Sequence, residues 1–393
     1  MRVQLSSRPS SRGASGHTAA LLDLGQRAHP LCGLALALLG IALSLPVTAR
    51  ADAASGTVSG TLSARGNYYW ERSTRVVAPA LVAHVDAPQG SQLDASYLLD
   101  SVTSASVAAG AQTDAAFTEI RHDVRAGLGH SFSLKGRSLL LSAQGRYSRE
   151  PDYRSRGGGA SAALRLAQNN ATLRLSGYYL HDAVFARRQR AGTLRALSLG
   201  IAWDQVLSPS WTATFGYDAS WLSGFTENPY RLAIFADGGA APEDHPEQRL
   251  RSALYAWLAH YFVATRSALR LGYRVYRDSW EIMAHSADLR LYQELNDHAE
   301  VRLRYRYYGQ TAARFFREGG NVRADRYVTA DPKMSPFEDH TFGIKLRLSL
   351  DFLAHSALRS LSGAILDWAF EYIVNNNRYG NGVIAQGGLS LPF

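Results

Sequence analysis

Arginine recurs at every second position in several segments of this chain, and this spacing is the first feature that points to a chemical role. The clearest case is 301–307, where Arg302, Arg304 and Arg306 alternate with apolar residues. Alternate side chains of an extended strand share one face, whereas on a helix these arginines would lie on all sides. A row of guanidinium groups attracts anionic solutes or polymers when it lines an aqueous channel.

Comparable alternation places further basic residues on one face of other segments. If the apolar face of each segment meets lipid, the basic face points inward, because a charge at the bilayer midplane costs about 2–4 kcal/mol. The basic face then forms either a channel wall that prefers anions, or a packed interior in which arginines pair with acids such as Asp218, Asp288, Glu300 and Asp351. An excess of basic over acidic inward residues favours the first interpretation. The predicted lumen residues are Arg165, Arg174, Arg270, Arg274, Arg290, Arg302, Arg304, Arg306, Lys345 and Arg347.

Residues suited to catalysis or metal binding are present but not arranged for either. Acids stand beside histidines at His122–Asp123 and His181–Asp182, but neighbouring residues of a strand point to opposite faces. No G-x-S-x-G element marks a nucleophile. The acids of 225–247 do not have the spacing of a calcium loop. We therefore predict no enzyme, no catalytic residue, no cofactor and no metal, and a hydrolase is the last of the alternatives.

Period-two patterning continues along most of the chain after residue 55 and predicts an all-β protein. We count about sixteen strands, and about fourteen to eighteen are compatible with the pattern. Aromatic residues near strand ends, such as Trp70, Trp211 and Tyr372, suit the boundary between a membrane and water. The predicted strands are 57–71, 75–86, 91–101, 117–133, 137–149, 155–167, 170–182, 192–206, 210–224, 248–263, 266–277, 281–295, 298–310, 339–353, 363–375 and 383–393.

The connections between these strands alternate in length. One set is tight, whereas the other includes the long polar segments 102–116, 183–191, 225–247 and 311–338. With both chain ends in the periplasm, every long loop falls on the external side, as is typical of outer-membrane barrels. Loop 311–338 carries Phe315 and Phe316, so it either folds inward and narrows a channel or stays solvated at the surface. The pattern predicts a transmembrane, antiparallel, up-and-down β-barrel.

The N-terminal segment has the organisation of a secretory signal peptide. Arginines precede an apolar stretch at 31–47, and the small-x-small run 49–51 follows it. We predict a signal peptide at 1–51, cleaved on export, and an outer-membrane β-barrel at 52–393; an uncleaved anchor is the alternative. Cys32, the single cysteine of the chain, lies in the predicted signal, so the mature barrel has no thiol.

The last strand and the composition indicate partners. Leu389, Leu391 and Phe393 share one face and end the chain, which predicts an assembly signal read by the barrel-assembly machinery. The net charge is +9, but the arginines are spaced rather than clustered, so no nucleic-acid partner is predicted. A mean hydropathy of −0.17 is too polar for a bundle of membrane helices. The predicted partners are outer-membrane lipid, the assembly machinery and an anionic solute or polysaccharide.

Five segments in this order resemble an uncharacterised family of Gram-negative outer-membrane barrels, classified as a domain of unknown function: 100–106, 148–157, 207–231, 271–293 and 301–316. The resemblance implies a barrel and no assigned activity. Several residues of these segments fall at strand ends, on the external rim of the predicted topology, where they either form a functional surface or brace the strand ends. These rim residues are Asp100, Asp152, Tyr153, Arg154, Asn228, Pro229, Tyr230, Asp278 and Trp280.

The sequence therefore predicts an integral outer-membrane β-barrel that acts as a porin-like channel for hydrophilic, anionic solutes. Two alternatives stay open. One is an outer-membrane component of polysaccharide export. The other is a structural or surface-binding barrel whose lumen is plugged by paired side chains.

Overall fold

The computed structural model describes residues 58–72, 74–104, 117–185, 191–228, 231–235, 239–317, 327–378 and 380–393. The predicted signal peptide and Cys32 lie outside the described residues. The strands of the barrel wall are Ser59–Glu71 (β1), Thr74–Ala87 (β2), Ser91–Ser104 (β3), Phe117–Leu134 (β4), Arg137–Arg149 (β5), Tyr153–Leu166 (β6), Ala171–Phe185 (β7), Ala191–Ser208 (β8), Trp211–Gly224 (β9), Gln248–Phe262 (β12), Ser267–Asp278 (β13), Met283–Glu294 (β14), Ala299–Gln310 (β15), Phe337–Ser349 (β16), Ile365–Asn375 (β17) and Gly382–Pro392 (β18).

These sixteen strands form a closed barrel in which every strand is paired antiparallel with both of its neighbours. Strand β1 pairs with β18 and closes the ring, and β9 pairs with β12. The loop between β9 and β12 contains a separate hairpin of two short strands, Leu232–Ile234 (β10) and Ala240–Pro242 (β11). The predicted antiparallel barrel of about sixteen strands is confirmed.

The barrel wall has an apolar outer face and a polar inner face. Leu128, Phe215 and Leu254 are 63%, 60% and 62% exposed, and they belong to a belt of exposed apolar residues on alternate positions of the strands. A belt of this extent on a closed ring of strands is suited to lipid, because hydrocarbon requires every backbone polar group to be paired. No helix among the described residues is long and apolar enough to cross a membrane.

The two ends of the barrel carry different connections. At one end the strands turn tightly, as at Lys135 and Gly136, whose φ angles of 48° and 76° suit a two-residue hairpin. We call this the turn end, and both chain ends of the wall lie there. The opposite end carries the connections that include 225–247 and 311–336, and we call it the loop end.

One long connection lies at the turn end, which differs from the expectation that every long loop would share the other end. Strand β16 ends at Ser349, earlier than predicted, because Asp351–His355 and Arg359–Leu361 form 3₁₀ turns. Leu350 and Ala364 of this connection form a buried cluster with Leu389 and Leu391 of β18. The connection is therefore folded onto the last strand, and its length reflects packing rather than solvation.

Glycines of β6 allow an aromatic side chain to lie flat on the inner face of the wall. A Cβ atom built on Gly159 would lie 2.5 Å from both the Gly177 carbonyl oxygen and the Tyr178 ring. Gly157 also faces the Tyr178 ring at less than 3.0 Å. The glycine run of this strand therefore permits close contact in the barrel interior.

Replacing Gly159 with alanine is expected to destabilise the barrel by about 1–3 kcal/mol, because the new methyl group would overlap both backbone and ring atoms. The measurement is the urea midpoint of unfolding in lipid vesicles, followed by tryptophan fluorescence. The matched control is Gly145→Ala on the neighbouring strand, where a Cβ atom meets nothing within 4 Å. Equal midpoints for the two variants would contradict the role of this contact.

Candidate functional site

All ten predicted lumen residues lie on the inner face of the wall. On β13, for example, Arg270 and Arg274 alternate with Leu271 and Tyr273, which are 47% and 51% exposed on the outer face. Across the register, Arg270 lies opposite Arg290. The same parity places Arg165 and Arg174 on the inner faces of β6 and β7, Arg302, Arg304 and Arg306 on β15, and Lys345 and Arg347 on β16.

Basic residues stand side by side across three strands. Arg270 is directly opposite Arg290, and Arg290 is directly opposite Arg304. Two residues from Arg304 on β15, Arg302 is opposite Lys345 of β16. Like charges that face each other across a strand pair are destabilising. We call Arg270, Arg290, Arg302 and Arg304 the arginine row. Their mutual repulsion requires compensating groups nearby.

Two carboxylates bridge members of the arginine row. Asp288 accepts from Arg290 at 2.8 Å and from Arg304 at 2.7 Å. Glu371 of β17 accepts from Arg304 at 2.9 Å and from Arg302 at 3.3 Å. These pairs are more than half shielded from solvent, so they are stronger than surface ion pairs. Arg290, Arg302 and Arg304 are thereby fixed in position on the inner wall.

Arg270 of the arginine row and several other basic residues of the inner face lack this neutralisation. The Arg270 guanidinium carbon lies 4.2 Å from the centroid of the Trp257 ring, and Arg306 donates to the Ser286 hydroxyl at 3.2 Å. Within the described residues, no carboxylate lies within 4 Å of Arg165, Arg270, Arg306 or Arg347. These groups are held by aromatic or hydroxyl contacts, or by none, and so keep their charge available to a solute.

The acids named from the sequence have different positions. Asp288 is a central partner, whereas Asp218 lies 4.0 Å from Arg274 in an exposed pair. Asp351 accepts from the Ser349 hydroxyl at 2.6 Å at the turn end, away from the arginines. Glu371 was missed, although its position among alternate apolar residues of β17 was a signal for an inward acid.

A cavity of about 730 Å³ lies against the inner wall from β9 to β15. Arg274, Arg306, Tyr255, Trp257, Asp218 and Asp288 contribute to its lining. A second cavity of about 460 Å³ lies against β2 to β7 and is lined by residues that include Asp94, Arg125, Gln144 and Tyr178. Space therefore remains beside the inner wall at both places.

The two longest loops at the loop end are joined by a buried contact. Asp244 and Val328 exchange backbone hydrogen bonds of 3.0 and 2.8 Å. Glu243 accepts from the Thr329 hydroxyl at 3.0 Å and from the Ala330 amide at 2.9 Å. Both Glu243 and Thr329 are buried. We call the residues 239–247 and 327–336 the loop cap.

The loop cap rests on aromatic residues near the end of the inner wall. The His245 ring lies 5.3 Å from both Trp280 and Phe315, and Trp280 packs over the guanidinium of Arg249 at 4.0 Å. Tyr276 of the inner face packs against the same cluster. The described parts of this loop, 311–317 and 327–336, are therefore folded against the wall, and Phe315 is buried rather than solvated.

The predicted rim residues that the structure describes lie at the loop end, but they do not form one surface. Asp100 bonds to Arg121, Tyr153 bonds to Asp182, and Arg154 stacks over Phe185 at 5.5 Å. Asp278 accepts from Arg249 at 2.9 Å, and also from the backbone amides of Trp280 and Ile282, so it braces its own turn. Asp152 is buried, and Asn228 accepts from the Arg231 amide at 3.2 Å. Pro229 and Tyr230 lie outside the described residues.

Three acids near the same end come together in space. Oxygen atoms of Glu119, Glu150 and Asp152 lie within 4.8 Å of one another. Burial and the neighbouring Asp152 and Asp100 raise the pKa of Glu150 above its ordinary value, although Arg121 opposes this. No comparable group of carboxylates occurs among the described residues of 225–247.

The predicted assembly signal lies at the seam of the barrel. Leu391 is opposite Leu62 and Leu389 is opposite Ala64, and both leucines are buried in the cluster under the 350–364 connection. Phe393 exchanges backbone hydrogen bonds of 2.9 and 3.0 Å with Gly60. These residues therefore complete the pairing of the last strand with the first.

The chain belongs to the family described as "Protein of unknown function (DUF3570)", whose match covers residues 105–200 and 191–389. The resemblance to an uncharacterised family of outer-membrane barrels is thereby confirmed. No curated protein matches the chain.

Among solved structures, the chain is similar to OccD3 (OpdP) of Pseudomonas aeruginosa, with 11% identity over 86% of this chain and 93% of that chain and a TM-score of 0.45. It is also similar to OprD of the same organism, with 8% identity, 87% and 98% coverage and a TM-score of 0.44. CdiB from Acinetobacter baumannii matches at 10% identity, 86% and 60% coverage and a TM-score of 0.45.

The loop cap should loosen in acid. Burial acts to raise the pKa of Glu243, but the His245 ring 3.5 Å away, with the bonds from Ala330 and Thr329, outweighs burial and holds the pKa below its ordinary value of 4.5. The contact therefore stabilises the loop cap fully above pH 4.5, and this stability is lost as the pH falls through the folded pKa. Amide hydrogen exchange of 239–247 and 327–336, corrected for intrinsic rates, should rise in acid.

Glu243→Gln tests the assignment of this pH dependence. The variant should exchange faster at neutral pH and show a smaller increase in acid, because the amide cannot carry the charge that favours the closed contact. The matched control is Glu281→Gln, whose side chain is 65% exposed in the adjacent turn. A Glu243→Gln protein with the full pH response of the unaltered chain would refute the assignment.

Proposed function

We propose that this protein is a channel of the outer membrane that admits small hydrophilic solutes and prefers anions. The observation that carries the proposal is the set of inner-wall cations that have no carboxylate partner among the described residues, Arg270 and Arg306 above all. Arg306 lines a cavity of about 730 Å³, and Arg270 packs on Trp257, which lines the same cavity. A narrow space with low-dielectric walls concentrates the field of such charges and raises the local concentration of anions.

The arrangement of the paired arginines supports this function as well. Asp288 and Glu371 hold Arg290, Arg302 and Arg304 in fixed positions, so these guanidinium groups need no reorganisation when a solute passes. Each guanidinium has five donors, and one or two carboxylate contacts leave others free. A solute carboxylate or phosphate can therefore exchange contacts along the arginine row.

The loop cap favours small solutes over a polymer. It joins two loops by buried contacts and is anchored on Trp280 at the end of the inner wall. A polysaccharide conduit would need an unobstructed mouth, so export of polymer is the weaker function.

We further propose that the segment 1–51 directs export and is cleaved, and that Leu389, Leu391 and Phe393 are read by the assembly machinery. We propose no enzymatic activity, cofactor or metal.

Conductance in planar bilayers tests the proposal. The purified chain should conduct ions, and the reversal potential in a potassium chloride gradient should show preference for chloride. Arg270→Gln combined with Arg306→Gln should reduce that preference. A unit charge about 10 Å from a passing ion in water contributes on the order of 0.4 kcal/mol, so each substitution should lower the chloride permeability and raise the potassium permeability roughly twofold each.

The matched control is Arg277→Gln, because Arg277 lies on the outer face of the same strand, opposite Met283. This variant should leave the permeability ratio unchanged. Folded protein without any conductance would eliminate the channel function. Conductance with cation preference would leave a channel but remove the assigned solute class.

A further inference from the structure

A basic patch lies on the outer face of the barrel, separate from the arginines of the lumen. Its members occupy the loop-end portions of β4 to β8. Arg149, Arg156 and Arg195 are exposed, and Arg154 is half-buried beside Phe185. The basic patch consists of His122, Arg149, Arg154, Arg156, His181 and Arg195.

The strand register makes the basic patch continuous. His122 is directly opposite Arg149, which is directly opposite Arg154. One pair further along β6, Arg156 is opposite His181, and His181 is opposite Arg195.

The patch contains no acid that would neutralise it. Within the described residues, no carboxylate lies within 4 Å of Arg149, Arg154, Arg156 or Arg195. The Arg154 Nε atom is buried and has no hydrogen-bond partner there. Facing like charges destabilise a strand pair. Among the described residues nothing offsets this repulsion, so a bound anion would stabilise the patch.

The basic patch lies at the level of lipid headgroups. Tyr147, Tyr179 and Leu197 are exposed by 40%, 47% and 42% and belong to the apolar belt of the same strands. Arg149, His181 and Arg195 come two positions nearer to the strand ends, on the same faces. Tyrosine marks the boundary between hydrocarbon and headgroup in membrane barrels. The next residues outward therefore meet the charged part of the lipid.

The rest of the loop-end outer face has a different character. The corresponding positions of β9, β14 and β17 carry Trp221, Met283 and Tyr372, which are exposed and uncharged. Basic groups there are isolated, such as Arg75 opposite Trp70 and Arg277 opposite Met283. The clustering on β4 to β8 is thus local and is not a general property of the rim.

We propose that the basic patch binds the phosphate groups of a phosphorylated lipid in the outer leaflet. Guanidinium groups bind phosphate with two parallel hydrogen bonds, and several of them together suit a headgroup with more than one phosphate. We favour a lipid over a free phosphate because the basic patch adjoins the apolar belt, on which the acyl chains of such a lipid would lie. The inference does not depend on what passes through the channel.

The test uses the full chain purified in a neutral detergent and three probes: diphosphoryl lipid A, the same lipid without phosphate, and inorganic phosphate. Native mass spectrometry counts bound lipid, and a titration gives its affinity. Arg149→Gln, Arg156→Gln and Arg195→Gln together should weaken diphosphoryl lipid A binding well over tenfold, since each arginine near an anionic surface contributes roughly fivefold. The matched control is the pair Arg75→Gln and Arg277→Gln, which should bind as the unaltered chain does.

Folding of each variant is checked by its heat-modifiable mobility on a gel. If the triple variant fails to fold, Arg156→Gln alone replaces it. Phosphate-dependent binding that only the patch variants lose supports the proposal. Equal binding of the lipid without phosphate overturns it, as does unchanged affinity in the patch variants. Inorganic phosphate that binds as tightly as the lipid would show a free-anion site and would also overturn the lipid assignment.

Discussion

Backbone hydrogen bonding within a closed ring is the constraint on which the remaining structure depends. Hydrocarbon offers no partner to an amide or carbonyl group, so every strand of the wall must be paired on both edges. The seam between β1 and β18 meets this requirement to the last residue, where Phe393 and Gly60 exchange two hydrogen bonds. Once both edges of each strand are fixed, the alternation of side chains along the strand decides which of them meet lipid and which meet the lumen.

The arginine row shows what that parity imposes on the interior. Arg270, Arg290 and Arg304 stand side by side because their strands have no freedom to slide past one another. Asp288 and Glu371 remove part of the resulting repulsion and link the side chains of β14, β15 and β17. Arg270 packs on Trp257, and Arg306 donates to the Ser286 hydroxyl. The inner wall is therefore held by ion pairs at some of its cations and by aromatic or hydroxyl contacts at others.

The sequence predicted the wall well because the signal for it is local. An alternation such as that of 301–307 reports the two faces of a strand directly, so strand number and the inward set of arginines could be read from it. The ends of elements are set by contacts that the alternation does not encode. Strand β16 stops at Ser349 because the connection after it folds onto Leu389 and Leu391, which are distant in sequence.

The pairing partners were harder to predict for the same reason. Glu371 is separated from Arg304 by strand β16 and the two long connections that flank it, and only the register of β15, β16 and β17 brings their atoms to 2.9 Å. The loop cap likewise depends on Glu243 meeting Thr329, and no periodicity links these residues. Trp280 was identified as a rim residue, but its burial under His245 and Phe315 requires both loops to be in place. Contacts between residues that are distant in sequence therefore could not be predicted from the alternation of residue types.

Parity also explains how one residue type can serve two surfaces of the same wall. On β5, Arg146 points inward and binds Asp123 at 2.5 Å, whereas Arg149 has the opposite parity and points outward. Arg146 therefore has a carboxylate partner on the inner face, whereas Arg149 is directly opposite Arg154 on the outer face. A slip of one residue in register would move both sets to the wrong face, so charge on each face opposes such a slip. The two basic surfaces therefore add to the specificity of assembly, whichever anions they bind.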